Sequence, residues 1–190
     1  MSTRTKILTT AANLFDAGGF DQTTIANICA AAQVSNGSFF HAYRSKDALG
    51  AALYLQALEH YHDHMLAAVA GDPDAATGLA RLIQAHVQWV ETRAREARFL
   101  FEQSRADWLT HVREAQAAEN ARFADAMDRW LTPLIAAGAV IDLPRPLFFA
   151  QLIGPAQLIC RAWLSGRAAK PPAHDVEPLV AAAQRALLAR

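Results

Sequence analysis

The chain has 190 residues, 53% of them apolar, and its 18 Lys and Arg are balanced by 18 Asp and Glu. That length supports a sizeable core in one or two domains, while zero net charge argues against a protein that coats nucleic acid without regard to sequence. Cys29 and Cys160 are too few and too far apart for a disulfide framework or a metal knuckle, and the Ala-rich composition, poor in β-branched runs, predicts an all-α fold.

The first element follows a polar arm, Ser2 to Lys6, and carries Ile7, Leu8, Ala11, Leu14 and Phe15 on one face. Gly18-Gly19 stops it, since glycine takes the left-handed cap conformation easily. Thr23 or Thr24 then caps a short helix with Ile25, Ile28 and Ala32 at helical spacing. Ser35 caps a second one, in which Phe39 and Tyr43 point inward and Asn36, Ser38 and His41 point elsewhere. A helix of this length is unstable alone and needs a partner beneath it. The polar, small-residue face left outward is what a major-groove reading helix requires.

Ser45 caps a fourth helix running to about Ala70. Gly71-Asp72-Pro73 breaks the chain, with Asp72 as the next cap and Pro73 at a first helical position. The following helix carries Leu79, Leu82, Ile83, His86, Val87 and Val90 in one stripe beside Trp89. A shorter segment presents Phe99, Leu100 and Phe101, and a long helix is expected from about Asp107 to Ala137, bearing Trp108, Phe123, Met127 and Trp130. Pro144 and Pro146 introduce a helix over Leu147 to Leu164 that is apolar nearly all round and must be covered on more than one side. Gly154-Pro155 should bend it. Asp175 caps a last Ala- and Leu-rich helix. The N-terminus has no apolar signal core and no span is expected to be long enough for a membrane helix, so the chain reads as cytoplasmic, with no membrane partner.

The stretch Thr23-Thr24, Ile28 to Ala32, Val34-Ser35, Gly37, Phe39-Phe40, His41, Tyr43 and Lys46, with Ala17 to Phe20 before it and Lys46 to Leu49 after it, resembles the helix-turn-helix of the tetracycline-repressor-like (TetR/AcrR) regulators. The pattern covers roughly fifty residues and is far more specific than a lone motif. It departs in three places. Gln33 stands where the family has Gly, so a non-glycine residue must take an unusual backbone conformation. Phe40 replaces Tyr and loses a hydroxyl, and Ala42 replaces a large residue. The penultimate helix again looks like the family's, more loosely; residues 50–140 match in helix lengths and breaks alone.

The resemblance implies about nine helices: a three-helix DNA-binding head over residues 1–47 and a helical effector-binding and dimerisation body over 48–190. It implies a non-enzymatic homodimer that reads a palindromic double-stranded operator and is released by a small apolar or aromatic effector. DNA contacts are expected from Thr24, Asn27, Ser35, Asn36, Gly37, Ser38, Phe40, His41 and Lys46. Lys46 is unusual because a cation in a first turn opposes the helix dipole by ~0.3–1 kcal/mol, a preference that an incoming phosphate reverses. An effector pocket is expected among His86, Trp89, Phe99, Phe101, Gln116, Glu119, Phe123, Met127 and Trp130, an aromatic set with a few polar groups. The dimer interface is expected at Leu152, Leu158, Ile159, Trp163, Leu179 and Leu187.

Two other readings stand beside this one. His60 and His64 are one helical turn apart, with Glu59 and Asp63 nearby, and could reach one metal ion in a helical metal protein or enzyme; the fourth ligand is unidentified. A DNA-silent dimer that keeps the fold is the other. No phosphate-binding loop, nucleophile elbow or zinc-protease motif is present, so no cofactor is expected.

Overall fold

The structure is a computed structural model that describes residues 2–104 and 106–189. Its described residues form nine α-helices and no strand; one isolated bridge joins Val140 to Leu188. The fold is all-α, as expected. The chain divides into two compact units, Met1–Leu58 with Arg95–Ala117 and Glu59–Ala94 with Ala118–Arg190. The boundary expected between residues 47 and 48 lies inside the first.

Unit one begins with α1 (Thr3–Gly18), capped by the Ser2 hydroxyl, which accepts from the Thr5 N–H at 3.1 Å. Ile7, Ala11 and Phe15 form its buried stripe. Gly19, at φ +80°, closes it by donating its N–H to the Phe15 carbonyl. The α2 helix (Ile25–Ala32) opens on a capping box: Asn27 N–H donates to the Thr24 hydroxyl, and Thr24 N–H donates to Asn27 Oδ1, both at 3.1 Å. Thr23 is buried and donates its hydroxyl to the Gly19 carbonyl at 2.8 Å. Gln33 ends α2 at φ 51°, ψ 51°, the left-handed conformation that the missing family glycine implies. Then come α3 (Asn36–Ala42) and α4 (Lys46–Ala68), whose first turn is capped by Ser45 accepting from the Ala48 N–H at 3.0 Å.

Several boundaries differ from expectation. The cap of α5 (Ala75–Thr92) is Asp74, whose carboxylate accepts from the Thr77 N–H at 3.0 Å. Asp72 instead follows Gly71 in the left-handed region, at φ 50°, so it cannot take the extended conformation of a cap. After α6 (Ala94–Glu102), the expected long helix divides into a 3₁₀ segment, Asp107–Val112, and α7 (Arg113–Ala136). Then follow α8 (Arg145–Leu164), with Pro155 inside it, and α9 (Val176–Leu187). Asp175 occupies the cap position of α9, but its side chain makes no capping bond.

In unit two α5 packs against both α8 and α9. Leu79, Leu82, Ile83 and Val90 of α5 are buried with Phe148, Leu152, Ala156 and Cys160 of α8 and Ala183 and Leu187 of α9. Removing this apolar surface from water is the main stabilising term. The α8 helix corrects one expectation. At 20 residues and mean hydropathy 1.3 it is long and apolar enough to cross a membrane by length and composition. One face of it is core, and 22% of the span is buried in the chain.

Candidate nucleic-acid interface

The seven residues of α3 are held from both ends and from below. Ser35 caps the start, accepting from the Ser38 N–H at 3.1 Å, and its hydroxyl bonds that of Ser38 at 2.9 Å. Phe39 and Tyr43 are buried on the inner side of α3, which packs on α2, where Ile28 and Ala32 are buried as well. At the far end Arg4, from the start of α1, donates to the Ala42 carbonyl at 2.7 Å and lies 4.3 Å over the Tyr43 ring. The Tyr43 hydroxyl donates back to the Arg4 carbonyl at 3.4 Å. A guanidinium here satisfies an orphan carbonyl and complements the negative helix end. Arg4 belongs to the polar arm, and nothing in the sequence shows this bracing role.

What remains outward is Asn36, Gly37, Phe40 and His41, all exposed, with Phe40 at 52%. A surface groove of about 590 Å³ runs along this face, lined by Thr3, Arg4, Ser35, Gly37, Ser38 and His41. Thr24 and Asn27 are exposed, but their side chains are tied to one another by the capping box. Lys46 points inward. Its ammonium donates to the carbonyls of Phe20 at 2.9 Å and Asp21 at 3.2 Å and stands 4.5 Å over the Phe20 ring, so it pins the turn between α1 and α2.

The nine residues expected to enclose one effector pocket fall into different units. In unit one Phe99 stacks on Phe15 with centroids 5.7 Å apart, Phe101 is half-buried, and Gln116 donates to the Tyr54 hydroxyl at 3.4 Å. In unit two His86, Trp89, Met127 and Trp130 are buried, and burial pushes the His86 pKa down to about 4. Glu119 is also buried, but it does not wait for a ligand. Arg122, one turn on, donates to both of its oxygens at 2.7 Å, and His62 Nδ1 lies 2.8 Å from Oε1. Arg122 holds the Glu119 carboxyl below its usual range and itself reaches Asp63 at 2.7 Å. The histidine that matters in this helix is thus His62, stacked 4.2 Å from Phe123, and not the His60/His64 pair. Among the described residues, no group of three or more His, Cys, Asp or Glu is placed to hold a metal ion. Phe123 does line a groove of about 350 Å³, with Tyr61, Met65, Phe149 and Ile153.

Of the expected interface residues, Leu152 and Leu187 are sealed in the chain's own core and offer no surface to a partner. Ile159, Trp163 and Leu179 are half-buried, and Leu158 is 71% exposed.

Residues 7–53, which hold the capped helix pair and most of α1, match the model for bacterial regulatory proteins of the tetR family. The head is thus of the tetR-family type. Solved structures resemble it over nearly their whole length. A TetR family transcription regulator from Marinobacter aquaeolei VT8 has a TM-score of 0.80 at 21% identity, covering 99% of this chain and 96% of that one. The fatty acid degradation regulator FadR from Bacillus halodurans has a TM-score of 0.79 at 15% identity, covering 97% and 95%. The ketosteroid transcriptional regulator KstR2 of Mycobacterium tuberculosis has a TM-score of 0.68 at 17% identity, covering 100% and 96%. At these identities the likenesses establish the fold. No curated protein sequence matches the chain. The match over residues 7–53 identifies the capped helix pair as a helix-turn-helix of the kind found in DNA-binding regulators.

Proposed function

We propose that the chain is a homodimeric repressor whose head, residues 1–47, reads a palindromic operator and whose body, residues 48–190, releases it on binding a small apolar effector. The observation that carries this reading is the outward face of α3, where Asn36, Phe40 and His41 are exposed on a helix fixed at both ends. Asn36 offers donor and acceptor to a base edge, Ser38 a hydroxyl, and the exposed Phe40 ring an apolar contact of the kind thymine methyls accept. Gly37, His41, Ser35 and Thr24 set the phosphate backbone, and Lys46 acts through the turn it pins.

The groove beside Phe123 suits the effector, since its walls are almost wholly apolar and Gln157 supplies one polar group. Two structural neighbours are a fatty acid degradation regulator and a ketosteroid transcriptional regulator, and an apolar effector class is in keeping with those walls. The outer face of α8, with Leu158, supplies the two-fold contact. Coupling runs along α4, which carries Leu53 and Ala57 in one unit and Tyr61 and Met65 in the other. An effector that lowers operator affinity tenfold must favour the released state by ~1.4 kcal/mol.

The test is selection of duplexes from a random-sequence pool, followed by fluorescence anisotropy at several salt concentrations. The expected winner has two half-sites in inverted repeat, with affinity falling as salt rises. A chain that enriches no sequence would be the DNA-silent dimer.

A further inference from the structure

A cavity of about 190 Å³ lies within unit one, among α1, α4 and α6. Its floor is apolar and buried: Phe15, Leu53, Ala57 and Phe99. Ala12 and Gly19 line it as well, so small residues stand on several sides where larger ones would have filled the space. The rim is charged. Asp16 is held there by Arg98 and by Arg95, whose Nε lies 3.3 Å from Oδ2. Arg95 also donates to Asn13 Oδ1 at 2.9 Å.

We propose that this cavity is a second small-molecule site, distinct from the groove beside Phe123, and that it takes an uncharged aromatic of one ring or two fused rings. Size sets the first limit. A cavity of about 150 Å³ with aliphatic and aromatic walls stays dry and binds benzene, so this slightly larger one holds a ring with a small substituent or an indole. The walls set the second. Phe15 and Phe99, stacked on one another 11° apart, both line the cavity and give it an aromatic wall. The floor has no charged group to replace lost hydration, so burying a charged ligand there would be costly. The rim carries Asp16, Glu96 and Glu102 beside Arg95 and Arg98; Asp16 is paired with both guanidinium groups, and its carboxylate can still accept from one ligand N–H or O–H.

The site also has a direct route to DNA, a consequence that rests on the reading of α3 as the operator-contacting helix. Ala12, Phe15 and Asp16 belong to α1, which packs on α2 and α3 and whose Arg4 holds the last carbonyl of α3. An occupant that shifts α1 therefore acts on the brace of the reading helix.

Indole titrated into the full chain by isothermal calorimetry tests the site without reference to DNA. The expected result is saturable binding of one indole per chain, weakened at least tenfold in Ala57→Leu and in Ala12→Leu, which fill the cavity from α4 and from α1. Two fillers are needed because either one alone could misfold; circular dichroism identifies the variant to be read. Phe123→Ala, in unit two, should bind indole as the wild type does. Absence of wild-type binding, undiminished binding in a folded filler, or loss of binding in Phe123→Ala would each overturn the site. In the second arm, saturating indole should change wild-type duplex affinity and leave that of a folded filler unchanged. An unchanged wild-type affinity, with indole bound, would overturn the coupling. If the chain binds no duplex, the DNA reading fails and calorimetry alone decides the site.

Discussion

The indole of Trp130 is seated against the bare backbone of Gly78: a Cβ on that glycine would stand 2.1 Å from Cζ2 and 2.8 Å from Cε2. The ring cannot simply withdraw, because its Nε1–H donates to the Pro73 carbonyl at 3.0 Å. Two effects therefore compete in Gly78→Ala. Alanine favours a helix interior by roughly 1 kcal/mol over glycine, whereas forcing atoms into a packed core costs ~1–3 kcal/mol and here also threatens the indole hydrogen bond. The overlap is too deep for the propensity gain to prevail. Gly78→Ala is expected to lower the urea midpoint, with a loss of about 1–2 kcal/mol.

Gln33 makes the opposite case. It holds φ 51°, ψ 51° at the end of α2 without being glycine, a conformation that costs an L-residue roughly 1–2 kcal/mol. Gln33→Gly releases that strain and gives back ~0.4–1 kcal/mol through the greater freedom of the unfolded chain. The net expectation is a small stabilisation, visible as a raised Tm, with duplex affinity unchanged.

These two residues mark where sequence reasoning succeeds and where it stops. The turn at Gln33, the caps Thr24, Ser35 and Ser45, and the stop at Gly19 are local events, set by hydroxyls and backbone within a few residues, and each could be read from the chain. The seat of Trp130 on Gly78 pairs residues from different helices, and periodicity carries no information about such partners. The same holds at Gly50, where a Cβ would lie 2.6 Å from Phe20, and at Lys46, whose acceptors lie more than twenty residues earlier. The aromatic stripe misled for a related reason. Phe99 and Phe123 look alike in sequence, yet one packs on Phe15 and the other on His62. With Asp72 and Asp74 both before α5, composition could not choose the cap; the left-handed turn at Gly71-Asp72 does.

Histidine burial predicts an acid limb in stability. His86 is fully buried, with its Nδ1 3.0 Å from the Tyr61 hydroxyl, and burial lowers its pKa to about 4. Unfolded histidine titrates near 6.5, so as pH falls the unfolded chain takes the proton first. Stability is complete above about 6.5 and is lost progressively from there toward about 4, by roughly 2–4 kcal/mol. His62 is shifted the same way by burial, while Glu119, held low mainly by Arg122, adds its loss only below the ordinary carboxylate range. His86→Gln should therefore flatten, without abolishing, the decline in urea midpoint between pH 7.5 and 4.5. An unaltered decline would assign the limb to other groups.

At the reading head, Asn36 and Lys46 should fail differently. Asn36 is exposed at the first position of α3. Asn36→Ala is expected to cost ~1–3 kcal/mol on the selected duplex and to relax preference at one base position, with folding intact. Lys46→Met removes a cation that bonds two carbonyls in its own fold. It should lower the Tm of the head and weaken every duplex through misplacement of α2, leaving the salt slope nearly unchanged. A slope reduced by about one would instead make Lys46 a phosphate contact.

Leu158 gives the sharpest test of assembly. It lies on an apolar helix of which one face, through Leu152, is sealed in the core while Leu158 itself is 71% exposed. Leaving such surface in water is unfavourable, and a second copy laid across it by two-fold symmetry would cover both copies with one contact. Because an isologous contact brings related surfaces together, Leu158→Glu places two carboxylates in the same buried seam. The protomer should not notice, since the side chain is not part of its own core. The expected outcome is a wild-type dimer at micromolar concentration and a Leu158→Glu monomer with unchanged helical circular dichroism. Leu152→Glu, by contrast, buries a charge inside the protomer and should abolish the folded signal. Sedimentation velocity separates these outcomes, and a Leu158→Glu chain that still sediments as a dimer would move the interface away from this face of α8.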